Sequence, residues 1–322
     1  MTTLQAAFEK IREETEKAVV GQEKALELLL VGLLSGGHVL LEDVPGVGKT
    51  TLLKTLAACV GCRFKRIQCT PDLLPSDVTG TMVYHPSTGQ FRFREGPLFS
   101  QIVLADEVNR AVPRTQSAFL EAMAEGQVTV DGEPRPLDRP FFLMATQNPV
   151  ESQGTFPLPE AQLDRFLMKV SLGYPGLEEE RRILRMIGGG NGRDEVRPVI
   201  GPEDVLALQE EVRRIRLSED VETYLLEVVR RTRDRDGVVL GASPRAAVAL
   251  GTAVRALAGI RGREYVIPDD VKYLAPWVLA HRLVLASDLR MERVTPESVV
   301  LDVLKEVPVP VEDDAETSAI EK

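Results

Sequence analysis

Residues 43–50 read Asp-Val-Pro-Gly-Val-Gly-Lys-Thr, between a short apolar run at 38–42 and a helix-forming stretch at 50–59. No other octet constrains the fold as tightly. A loop that closes on phosphate needs glycines, so that backbone N–H groups can approach the anion, and a helix N-terminus for positive potential. It also needs a lysine for the β/γ-phosphates and a hydroxyl for Mg²⁺. Pro45, Gly46, Val47, Gly48, Lys49, Thr50 and Thr51 supply such a loop. The usual spacing opens on glycine, and Asp43 stands there instead. The strand–loop–helix setting separates this stretch from a glycine-rich turn carrying a surface lysine.

The runs 38–42, 64–69, 101–105, 141–146 and 166–172 are short and apolar, as in parallel strands covered on both faces. Helical patterns fall between them at 50–59 and 114–124, and helices are predicted ahead of them at 4–18 and 22–34. This alternation predicts a doubly wound α/β domain with a five-stranded parallel sheet. Two stretches do not fit a parallel sheet and read as inserted hairpins: 81–93, and 127–137 with its Asp131-Gly132 turn. Residues 188–200 are Gly-rich and polar, a linker. From 202 to 304 the pattern is all helical, in segments 202–214, 218–233, 243–259, 268–286 and 295–305. Ser243-Pro244 and Thr295-Pro296 are helix starts. The tail 306–322 carries six acidic residues and one lysine and reads as disordered. The expected organisation is a nucleotide-binding unit at 1–187, the linker, a helical lid at 201–305 and the tail.

Ile102-Val-Leu-Ala-Asp106-Glu107 is an apolar strand ending in two acids, about 56 residues after the loop. The first can hold the water shell of Mg²⁺, and the second can polarise an attacking water. Asn148 ends the next strand, where an amide can position that water. Arg165, in Asp164-Arg-Phe166, can stabilise charge on transferred oxygens from a neighbouring subunit. Arg245 is a candidate second sensor of the γ-phosphate, and Arg110 a weaker candidate.

Net charge is −10, from 39 Lys+Arg against 49 Asp+Glu, a poor match for a general nucleic-acid coat. No run is apolar enough to span a membrane, and 1–17 lacks a signal-peptide core, so a soluble cytoplasmic chain is expected. Cys59, Cys62 and Cys69 read as reduced thiols without chemistry, and His38, His85 and His281 as structural. Trp277 and the stripe around it read as lid core.

The strings LLEDVPGVGKT, LADEVNRAVPRTQSAFLEAMAEGQVTVDG, ATQNPVESQGTFPLPEAQLDRF and GASPRAAVAL resemble the MoxR family of AAA+ ATPases, from about Val20 to Leu304. The resemblance implies a P-loop AAA+ nucleotide-binding domain followed by a helical lid, with ATP bound between them. It implies that Val20, Gly21 and Gln22 lie against adenine, and that Lys49 binds phosphate while Thr50 and Asp106 serve phosphate and Mg²⁺. It makes Glu107 the catalytic base, Asn148 and Arg245 the two sensors and Arg165 a finger acting in trans. A ring is then implied, usually a hexamer, remodelling a client protein with a separate partner that carries a von Willebrand factor A domain. The alternatives are a nucleic-acid motor of the helicase or branch-migration type, or the ATPase subunit of a metal chelatase. Charge on the two insertions opposes the motor: Arg92, Arg94, Arg135 and Arg139 balance Glu95, Asp131, Glu133 and Asp138.

Overall fold

The structure is a computed structural model that describes residues 2–42, 48–148, 154–171, 173–174, 176–188 and 196–310. Its strands run β1 (Val39–Glu42), β2 (Phe64–Gln68), the hairpin β3 (Gly80–His85) and β4 (Gln90–Glu95), and β5 (Ile102–Asp106). The hairpin β6 (Gln127–Val130) and β7 (Glu133–Pro136) follows, then β8 (Phe142–Gln147) and β9 (Met168–Val170). Five of these form one parallel sheet in the order β2-β5-β8-β1-β9. Its central strands are apolar on both faces: Ile102, Val103, Leu104 and Ala105 of β5 are fully buried. The edge strand β2 exposes Lys65 and Arg66, charges that discourage pairing with another strand. Both predicted hairpins pair antiparallel outside the sheet, and the second turns on Asp131 and Gly132 with φ of 53° and 82°.

The helices of this half are α1 (Thr3–Thr15), α2 (Glu23–Leu34), α3 (Lys49–Cys59), α4 (Pro75–Thr79), α5 (Pro113–Glu125), α6 (Glu160–Leu163) and α7 (Leu177–Gly188). Sequence periodicity left α7 unassigned. Helix α2 is buried on nearly every side, so its apolar residues form no single stripe. Gly32 makes its contact with the sheet possible: a Cβ there would meet Val39 Cγ2 at 2.7 Å and the Phe142 ring at 3.3 Å. A mid-helix glycine costs about 1 kcal/mol, and here it admits the strands to van der Waals distance.

The stretch 188–200, read as a linker, is in part core: Gly188 ends α7, and Val196, Val199 and Ile200 pack on the apolar interior. Arg197 N–H donates to Glu14 Oε1 (2.9 Å) and Val199 N–H to the Cys59 carbonyl (2.8 Å). Then come α8 (Pro202–Arg214), α9 (Glu219–Arg231), α10 (Pro244–Ile260), α11 (Pro268–Leu279), α12 (Ser287–Met291) and α13 (Pro296–Glu306). Ser243 and Thr295 cap α10 and α13 as expected. One detail departs from the all-helical reading. The stretch 268–286 is not one helix, because α11 ends at Leu279, soon after Pro276, and His281 and Arg282 turn back to bond carbonyls of residues 164–167. The freed chain forms β11 (Val284–Leu285), antiparallel to β10 (Val238–Leu240). Residues 307–310 follow α13, and the rest of the acidic tail lies outside the described residues.

The three cysteines are buried and free. His38 ties β8 to the end of α5: its Nδ1 accepts from Leu143 N–H (3.1 Å), so Nε2 carries the proton and donates to the Met123 carbonyl (3.1 Å). Burial pushes this imidazole down from 6.5 to about 4 and drives His281 well below its usual value. The unfolded chain therefore takes up a proton on residue 38 near pH 6.5, while the fold does not until about pH 4. The stability contributed by neutral His38 is full above pH 6.5 and falls as pH drops through that window. Denaturant titrations at pH 7.5 and pH 5 should differ by about 2 kcal/mol on this account. In His38→Gln the difference should shrink by about that amount; an unchanged difference would remove His38 as its source.

Candidate active site

The five parallel strands end on one edge, and β1 lies between β8 and β9, so the chain changes direction beside it. Ligands of open α/β sheets bind in the crevice outside such strand ends. A cleft of about 380 Å³ opens there, lined by Gly48, Lys49, Thr50, Thr51, Arg66, Asp106, Glu107, Thr146, Gln147 and Asn148. Gly48 caps α3 with φ of 86°, a left-handed conformation that glycine adopts freely, and among the described residues no atom beyond its chain neighbours lies within 4 Å of where its Cβ would be. Helix α3 directs its positive end at the cleft. Pro45, Gly46, Val47 and the unusual Asp43 lie outside the described residues.

Asp106 and Glu107 sit where β5 stops. Register pairs Gln68 with Asp106, and the alternation of β2 puts Arg66 and Gln68 on one face. Arg66 Nε and Nη2 both donate to Asp106 Oδ2 (3.0 and 2.6 Å), and Nη2 also reaches Gln68 Oε1 (2.6 Å). Gln68 Nε2 donates to Glu107 Oε2 (2.9 Å), which also accepts from Arg110 Nη1 (3.2 Å). The Thr146 hydroxyl donates to Asp106 Oδ1 (2.6 Å) and accepts from Glu107 N–H (2.8 Å). That bond helps hold Glu107 at φ 58° and ψ 50°, a left-handed conformation that costs a residue with a Cβ on the order of 1–2 kcal/mol. The result is an acidic pair, aimed and hydrogen-bonded, facing a helix N-terminus that carries a lysine and two threonines.

Of the residues singled out in the sequence, Gly48, Lys49, Thr50, Thr51, Asp106, Glu107 and Asn148 share this cleft. Val20, Gly21 and Gln22 line a second, smaller cleft of about 100 Å³, together with Arg12, Thr15 and Arg182. Gly21 is left-handed (φ 72°), and Glu179 of α7 lies where its Cβ would be. Arg165 and Arg245 line neither cleft. Both are exposed, and Arg165 Nη1 reaches the Leu120 carbonyl at 3.5 Å. Sequence reasoning missed Arg66, Gln68 and Thr146. Period-two alternation toward the end of β2 was the available signal for the first two, and a threonine inside the apolar β8 for the third. Among the described residues no group of three or more His, Cys, Asp or Glu could hold a metal ion, and no helix is long and apolar enough to cross a membrane.

The family model described as "ATPase family associated with various cellular activities (AAA)" matches residues 38–168, and that of the AAA lid domain matches 230–303. The chain is 50% identical over 306 residues to the uncharacterized protein YeaC of Bacillus subtilis, spanning 95% of this chain and 96% of that protein. It is 44% identical over 306 residues to the chaperone MoxR1 of Mycobacterium tuberculosis, spanning 92% and 81%. A crystal structure of a Cytophaga hutchinsonii protein, provisionally described as an ATPase, superposes with a TM-score of 0.90 at 40% identity, covering 96% of each chain.

Thr146→Val keeps the shape of the side chain and removes both of its bonds. It leaves the Glu107 N–H unpaired and should cost about 1–3 kcal/mol. Denaturant unfolding followed by circular dichroism measures this; a loss below about 0.5 kcal/mol would mean that the hydroxyl does not hold the pair.

Proposed function

This chain belongs to the MoxR family of AAA+ ATPases, and from that premise we propose that it works as a chaperone-like ring, completed at each subunit interface, that remodels a client protein. The observation that carries the reading is the acidic pair Asp106–Glu107, aimed across one cleft at the lysine-bearing N-terminus of α3. In this reading residues 1–187 bind nucleotide and 201–305 form the lid. Lys49 and the N–H groups of residues 46–51 hold the phosphates, and Val20, Gly21 and Gln22 hold the adenine. The oxygen donors Thr50 and Asp106 suit a hard divalent cation. Mg²⁺ held there would offset the charge of the β- and γ-phosphates. Glu107 takes a proton from the attacking water, with Gln68 and Arg110 fixing its carboxylate. Asn148 orients that water. Arg245 senses the γ-phosphate from the lid, and Arg165 reaches the ATP of the neighbouring subunit.

A finger in trans requires a ring, taken here as a hexamer. The partner is a separate protein with a von Willebrand factor A domain, and the setting is the cytoplasm. Balanced charge on the two hairpins favours a protein client over nucleic acid.

Lys49→Ala should abolish nucleotide binding in a fluorescent-nucleotide titration; wild-type affinity would overturn the phosphate-loop role. Glu107→Gln should bind ATP yet hydrolyse it about 10²–10⁴-fold more slowly, and near-normal turnover would remove it as the base. Held in its ATP state, the same variant should retain a von Willebrand factor A protein from cell extract. Salt-labile nucleic acid in its place would favour the motor. Arg165→Ala should keep binding, lose turnover about 10³-fold or more, and regain part of it when mixed with Lys49→Ala subunits. No recovery in the mixture would count against action in trans.

A further inference from the structure

Arg282 is the most buried arginine among the described residues of the lid, 5% exposed, and all but one of its guanidinium bonds go to a single short segment. Nε donates to Asp164 Oδ1 (2.7 Å), Nη2 to the carbonyls of Asp164 (3.3 Å) and Phe166 (2.6 Å), and Nη1 to the carbonyls of Leu167 (3.2 Å) and Val278. His281 Nε2 adds a second contact to the Phe166 carbonyl (3.2 Å). The carbonyls on either side of Arg165 are thus gripped from the lid, while the Arg165 side chain stays exposed. The same Asp164 carboxylate accepts from the Ser243 hydroxyl (3.3 and 3.4 Å), and Ser243 caps α10, whose second residue is Arg245.

We propose that Arg282 is a positioning residue that fastens the segment presenting Arg165 to the lid helix presenting Arg245. The lid of one subunit then sets the arginine which that subunit offers to its neighbour. This rests on the roles given above to Arg165 and Arg245. The chemistry suits the task. A guanidinium presents five donors in a planar fork and stays charged when buried, so it can hold a carboxylate and several carbonyls at once. A lysine in its place could keep the carboxylate but not the set of carbonyls. The fastening also joins two elements far apart in sequence, 164–167 and 243–245, through a third at 282.

Two measurements on the full chain test this. Turnover is compared for Arg165→Ala, Arg282→Lys and the double variant. Arg282→Lys should lower turnover about tenfold or more and be partly restored by mixing with Lys49→Ala subunits. The double variant should be no slower than Arg165→Ala alone, because both changes remove one function. Independent, multiplying losses would overturn the proposal, since they are what a merely structural arginine would give. Separately, spin labels are attached to cysteines introduced at Glu160 and at the exposed Val248; the three native cysteines are buried. The distance distribution between the labels should be narrow in the parent and broad in Arg282→Lys and Arg282→Gln. An unchanged distribution in folded variants would overturn the fastening. Full turnover by Arg165→Ala would instead overturn the finger role, and the label distances would still decide whether Arg282 holds the segment.

Discussion

The register of β5 between β2 and β8 is the constraint on which the site depends. Side chains on a strand alternate between faces, so a slip of one residue would send Asp106 to the opposite side of the sheet. Pairing of Gln68 with Asp106, and of Ala105 with Ala145, brings the Thr146 hydroxyl to the gap between the two acids. The register is itself specified by burial. Nearly all of β5 and β8 is enclosed on both faces, so a slip that drew the terminal carboxylate of Asp106 inward would bury a charge away from its partners. The unusual backbone of Glu107 is sustained by this frame rather than by its own preference.

The helical half is fastened to the sheet half by charge as well as by apolar contact. Glu27 of α2 accepts from Tyr273 Oη (2.7 Å) and Arg261 Nε (3.1 Å), and Arg261 stacks on the Tyr273 ring at 4.6 Å. Lys24 lies 4.7 Å over Trp277. Behind them Asp270, fully buried, is held by Arg263 at 2.6 and 2.7 Å and accepts from the N–H of Ile267, the residue before α11. Buried pairs of this kind add little net stability but penalise wrong arrangements heavily, because a misplaced partner leaves a charge unpaired out of water. With Arg282 and Asp164, the contacts of Glu27 and Lys24 join the lid to the sheet half at two separate places.

Local sequence carried the chemistry well and the connections between distant segments poorly. Glycines and lysine after an apolar strand, and two acids after another, announce themselves because each motif is contiguous and its element types follow from short-range periodicity. The five strands and both hairpins were legible for the same reason. Arg66, Gln68 and Thr146 were not, since their importance comes from register, which needs the partner strand. Arg282 was hidden more thoroughly. In sequence it is one arginine in an apolar helical stretch, and only the end of α11 at Leu279 turns it toward residues 164–167. The two short strands β10 and β11 were lost to the same bend.

The two hairpins leave the sheet at different points, yet they touch: the Arg135 guanidinium lies 4.0 Å over the ring of Phe93, which in turn meets Phe99 edge-on at 5.5 Å. Each ribbon alone would be marginal in water. Leaning on one another, they behave as a single jaw with two roots, one before β5 and one before β8. A load on the exposed Tyr84–Phe91 pair of the first ribbon would reach both roots through this contact, and with them the two strands that end in Asp106 and Gln147. The site and the jaw share a mechanical foundation that neither insertion would have by itself.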